Sequence, residues 1–147
     1  MHFKKILIAV EDSPHSLEAA RAGLQLAQKV NAEIGIMCAV NIGVTISSPE
    51  VIPTPIEIIT IQREEAHSVI EKVKAMFSGI SPVHEFTPEG DPREEIVAVA
   101  DEWGADIIVV GTHGRTGLTH LLMGSTAEYV VRHSKVPVMV VPMKKPN

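Results

Sequence analysis

The strongest constraint on this chain is an alternation. Five short aliphatic runs are separated by segments whose apolar residues recur at helical spacing. Ile6 to Val10 is continuous and apolar, with Lys5 before it and Glu11 after. Such a run fits a strand buried on both faces, as in a parallel sheet. Ile34 to Val40 repeats the pattern. Pro82 to Phe86 is a weaker run, and its proline suits a sheet edge. Asp106 to Val110 and Val136 to Val141 complete the set.

The intervening segments read as helices. Ser13-Pro14 places a capping hydroxyl before a proline at the first helical position. Leu17, Ala20, Leu24 and Ala27 then predict an amphipathic helix over about 14–30. Glu57 to Phe77 carries Ala66, Val69, Val73 and Phe77 at the same spacing, with Gly79 placed to stop it. Asp91-Pro92-Arg93-Glu94 starts a third helix, whose stripe is Ile96, Val99, Ala100 and Trp103. A short fourth helix runs through Ala127, Val130 and Val131. Asn41 to Pro55, with three prolines, is expected to be a long loop. The order β-α-β-α-β-α-β-α-β predicts an α/β fold: one domain over 1–147, an open parallel five-stranded sheet with helices on both faces.

Composition narrows the function. At 147 residues the chain fits one domain. Only 3% of residues are aromatic, which argues against stacking platforms for single-stranded nucleic acid. The net charge of −5 and the lack of a basic run argue against duplex DNA and anionic membranes. No apolar run approaches the length of a membrane span. The single cysteine, Cys38, lies in an apolar run and reads as a small buried hydrophobe. A cytoplasmic protein is the expectation.

Ligands of open parallel sheets bind beyond the carboxyl ends of the strands, where the strand order reverses. With the order 3-2-1-4-5, two loops face that point. One is Glu11-Asp12-Ser13, and the other starts at Gly111-Thr112-His113-Gly114. The second loop is glycine-rich and ends at Gly124-Ser125-Thr126, the start of the last helix. Its amides, the helix dipole and two hydroxyls suit a phosphate, and Arg115 adds a charged donor. Ser125-Thr126-Ala127-Glu128 also reads as a capping box, which satisfies those amides without a ligand. Spacing alone leaves both readings standing. Neither a P-loop nor a Gly-x-Gly-x-x-Gly fingerprint is present.

The segment Gly111-x2-Gly114-x9-Gly124-Ser125 resembles the G-2x-G-9x-G(S/T) motif of the universal stress protein family, in its ATP-binding branch. The likeness extends along the chain through Lys5 to Val10, Gly90-Asp91-Pro92, Ala105 to Gly111 and Val136 to Val141. It implies a Rossmann-like fold of the adenine nucleotide alpha-hydrolase type. It also implies a stress-response sensor or regulator that binds ATP with little or no hydrolysis, Mg²⁺ riding on the phosphates. By that resemblance Gly111, Gly114, Gly124 and Ser125 contact ATP, with Gly114, Gly124 and Ser125 along the phosphates, Thr126 beside them, and His113 and Arg115 in the same loop. Val110 lies near the adenosine, and backbone at Val40 meets adenine. Ala9 and Val10 at the end of the first strand, with Glu11 and Ser13 in the turn after it, are further nucleotide-binding positions, Glu11 holding the ribose or adenine where the family usually has aspartate. The resemblance further implies a homodimer through Val136 to Val141.

Two other classes stand beside this one. One is a slow ATPase, or a phosphoryl or adenylyl transferase, in which His113 or Glu11 is catalytic. The other is a structural dimer that binds no nucleotide. His113 and His120 have no close His or Cys partner in sequence, so no dedicated metal site is expected. Arg63-Glu64-Glu65 reads as a solvated helix face.

Overall fold

A computed structural model describes residues 2–42, 54–77, 83–112 and 123–143. The strands are β1 (Lys5–Ala9), β2 (Glu33–Met37), β3 (Val83–Phe86), β4 (Ile107–Gly111) and β5 (Val138–Val141). The helices are α1 (Pro14–Val30), α2 (Pro55–Ala75), α3 (Pro92–Trp103) and α4 (Ser125–His133). The strands form one sheet in the order β3-β2-β1-β4-β5, and every pairing is parallel. The expected fold class and strand order are therefore observed.

Local chemistry sets the helix ends. The Ser13 hydroxyl accepts from the Ser16 N–H at 3.2 Å, and Pro14 follows at the first helical position. Asn31 closes α1 in the left-handed region at φ 56°, a conformation asparagine tolerates. Gly104 closes α3 at φ 78°, where a side chain would be strained. Thr54 and Glu57 form a reciprocal capping box, so α2 starts at Pro55 rather than at Glu57. Asp91 caps α3 by accepting from the Arg93 N–H at 2.9 Å.

The sheet separates two aliphatic cores. Ile6, Ile8 and Val10 face α1 and α2, packing with Leu24, Ala66, Val69 and Val73. Leu7 and Ala9 face α3 and α4, packing with Ile96, Val99, Ala127 and Val130. Both surfaces of β1 are thus covered, which is why its run lacks polar alternation. β2 ends at Met37, three residues short of the expected Val40. The chain beyond it leans toward β3: Cys38 N–H bonds Phe86 O at 3.0 Å, and Val40 bridges Glu89. The loop glycine Gly43, the helix stop Gly79 and the strand residue Pro82 lie outside the described residues.

Candidate functional site

Two open clefts meet at the carboxyl end of the sheet, on opposite faces of it. The first, about 470 Å³ in open volume, lies between the ends of β1 and β4 on the α3/α4 side. Its floor is Ala9, Met37, Ile96, Val110 and Ala127, all from the second core. Its wall is Gly111, Thr112, Gly124 and Thr126. The second, about 630 Å³, lies beyond β2 under α2. Its floor includes Val10, Cys38, Ala66 and Val69 from the first core. Val10, Glu11, Ala39 and Pro92 line both clefts and join them.

The wall of the first cleft is pinned at two points. Gly124 N–H bonds Thr112 O at 2.6 Å, which fixes the start of α4 against the end of β4. Thr112 N–H in turn bonds Val141 O at 3.0 Å. The helix start corrects one expectation. Gly124, not Ser125, is the N-cap, and among the described residues no side chain caps α4. Ser125 is the first helical residue, so Glu128 falls one position too far along to close a capping box. The Glu128 N–H instead bonds Gly124 O at 3.0 Å as the first helical bond. Among the described residues, the positive end of α4 therefore opens at the cleft wall without a side-chain acceptor, the arrangement that suits an anion.

The turn after β1 is also held. Glu11 N–H donates to the buried Ser16 Oγ at 2.8 Å, and Ser13 N–H bonds Glu11 O at 2.8 Å. Glu11 lines both clefts, whereas Asp12 lines only the second and sits 3.6 Å from Lys72 Nζ. Ser13 is buried as the helix cap and lines neither cleft. The backbone of Val40 is occupied: its N–H bonds Pro88 O at 2.7 Å and its C=O accepts from Gly90 at 3.0 Å. The residue that reaches both clefts is its neighbour Ala39, whose N–H and C=O have no partner among the described residues.

The structure thus brings Ala9, Val10, Glu11, Val110, Gly111, Gly124 and Thr126 to one cleft. Ser125 is exposed at the helix start beside it. His113, Gly114 and Arg115 lie outside the described residues. Sequence reasoning missed Ala39, Pro92, Gln62 and Glu65 as lining residues. Arg63-Glu64-Glu65 is more than a solvated face: Arg63 pairs with Glu89, and Glu65 lines the second cleft.

Few charges are perturbed. Asp91, beside the shared Pro92, is held below the usual carboxylate range by its hydrogen bonds from the Arg93 side chain. Lys74 is raised by Glu85 and Glu71, which it bridges at 3.3 and 3.4 Å. His67 lies near the same two carboxylates, with potential ligand atoms within 4.8 Å of one another. The Lys74 ammonium already supplies the positive charge there.

A family model described as the universal stress protein family matches residues 2–142. The chain belongs to the universal stress protein family. A universal stress protein of Methanocaldococcus jannaschii, MJ0531, is 37% identical over 99% of this chain and 84% of its own length. The solved structure of MJ0577, from the same organism, superimposes with a TM-score of 0.83. It is 29% identical and covers 99% of this chain and all of its own. A universal stress protein solved in complex with cAMP superimposes with a TM-score of 0.62 at 27% identity, covering 96% of this chain and 98% of its own. Among the described residues, no helix is long and apolar enough to cross a membrane.

Proposed function

We propose that this universal stress protein binds an adenine nucleotide, ATP with Mg²⁺ on its phosphates, and serves as a cytoplasmic stress-response sensor rather than a fast enzyme. The observation that carries the reading is the uncapped start of α4 at the cleft wall, next to Gly111 and Thr126. A triphosphate would replace the missing capping acceptor. The peptide edge of Ala39, unpaired among the described residues, supports the base end. In extended backbone one residue's N–H and C=O point the same way, which matches the acceptor–donor pair of adenine N1 and its amino group. Glu11 lies between the two ends and suits the ribose hydroxyls. The cAMP complex of a similar family member supports an adenine nucleotide as the ligand class. Gly114, His113 and Arg115 enter this reading on the sequence motif alone.

A homodimer belongs to the same proposal. Among the described residues, β5 lies at the sheet edge and pairs only with β4, and all four of its residues are half-buried. An aliphatic edge of that kind invites pairing with a second copy.

The test is calorimetric titration of nucleotide-stripped protein with ATP and Mg²⁺, for the wild type and Thr126→Glu. A carboxylate in the first turn of α4 would satisfy the helix dipole itself. The variant should fold normally and lose roughly tenfold or more in ATP affinity. Equal affinity in both proteins would remove α4 from the site.

A further inference from the structure

The core-facing stripe of α2 has one polar member. Ala66, Val69, Ile70 and Val73 are buried and apolar, and Gln62, one turn earlier on the same face, is also buried. Gln62 as a whole is only 9% exposed, yet its carboxamide atoms are not sealed from solvent and have no hydrogen-bond partner among the described residues. It lines the second cleft. An amide left open at a cleft and unpaired by the surrounding described residues is available to a ligand, as donor and as acceptor. The surroundings say what the amide could meet. Cys38, Ala66 and Val69 make an apolar floor, while Asp12 and Glu65 place carboxylates at the rim. A flat heterocycle bearing an amino group fits apolar walls with a polar edge. A phosphate does not fit beside two carboxylates, so the anionic end belongs at Gly124 in the first cleft.

We propose that Gln62 is a specificity-determining residue for the base: its carboxamide reads an amino-purine edge entering the second cleft. The amide oxygen accepts from the exocyclic amine, and the amide N–H donates to the adjacent ring nitrogen. Glutamine pairs with adenine in this bidentate way wherever it can lie in the base plane. The inference rests on the nucleotide reading above and adds the side chain that selects the base.

The experiment compares ATP with purine riboside triphosphate, which lacks the amine, on stripped full-length wild type and on Gln62→Leu. Both are titrated by calorimetry with Mg²⁺ present. Wild type should favour ATP by about tenfold or more, because a site built to pair an amine rejects the analogue without it. Gln62→Leu should weaken ATP by about tenfold and leave the analogue within about threefold. A thermal melt shows that the variant folds. Gln62→Glu, which can accept but not donate, gives a second reading and should also weaken ATP. Tight ATP binding that neither variant changes overturns the role of Gln62 while the nucleotide reading stands. Binding of neither triphosphate by wild type overturns both.

Discussion

The backbone N–H of Glu11 donates to the side-chain oxygen of Ser16 at 2.8 Å. This bond ties the end of β1 to the first turn of α1, and it sets the direction in which Glu11 leaves the sheet. Ser16 is buried, so water cannot easily replace it. Ser16→Ala should cost about 1–2 kcal/mol through the orphaned N–H. It should also weaken ATP binding, because Glu11 loses its anchor. Urea denaturation and ATP titration of the same variant check both effects. A stable variant with unchanged affinity would show that the Glu11 turn is held by other contacts.

Gly23 tests the packing of α1 on the sheet independently of the site. A Cβ there would lie 2.9 Å from Ile8 Cγ1 and 3.3 Å from Val109 Cγ1, and both side chains are fully buried. Overpacking of this kind costs about 1–3 kcal/mol, against about 1 kcal/mol that alanine gains in a helix. Gly23→Ala should therefore lower the melting temperature by about 2–4 °C and leave ATP affinity unchanged. A raised melting temperature would mean that Ile8 can move aside.

Asp91 gives the acid limb of stability a checkable sign. Its carboxyl is held below its ordinary value by the Arg93 side chain. The folded state therefore binds the proton less readily than the unfolded chain does. The stabilisation is full at neutral pH and disappears as the pH falls below about 4 toward the lowered native value. The pair is partly exposed, so its worth is under about 1 kcal/mol. Asp91→Asn keeps an acceptor for the Arg93 N–H but loses the charge. It should be slightly less stable than wild type at pH 7, with the difference shrinking as the pH falls below about 4, as followed by urea melts across that range.

The edge of β5 predicts how a dimer would be broken. Ile108 N–H bonds Pro137 O and Thr112 N–H bonds Val141 O, so the peptide groups of residues 137 and 141 face β4. By the alternation of a strand, Val138 and Val140 present theirs outward. Val140→Pro removes an outward N–H and spares the bonds to β4. It should turn a dimer into a folded monomer by light scattering. A dimer that survives this change is built on another surface.

The sequence pattern carried the fold well because each buried strand is a pure aliphatic run and each helix keeps one apolar stripe. Strand ends were harder. Ala39 and Val40 are both apolar, and nothing in their side chains says which peptide turns toward β3 and which stays free. The start of α4 failed for a related reason. Gly124 and Ser125 are both acceptable N-caps, and only the first helical bond, from the Glu128 N–H to Gly124 O, decides between them. Gln62 was visible in principle as a polar break in the stripe through Ala66, Val69 and Val73. Its meaning required knowing that α2 roofs a cleft at that turn.

The central claim is that the sheet end holds an adenine nucleotide. It is tested most directly by denaturing the purified protein, identifying released small molecules by mass spectrometry, and titrating the stripped protein with ATP and Mg²⁺. An adenine nucleotide in the released fraction, or saturable 1:1 binding per chain in the titration, is the predicted result. No released nucleotide and no binding heat would contradict it, and would leave the uncapped helix and its glycines as structural elements of a family member without this ligand.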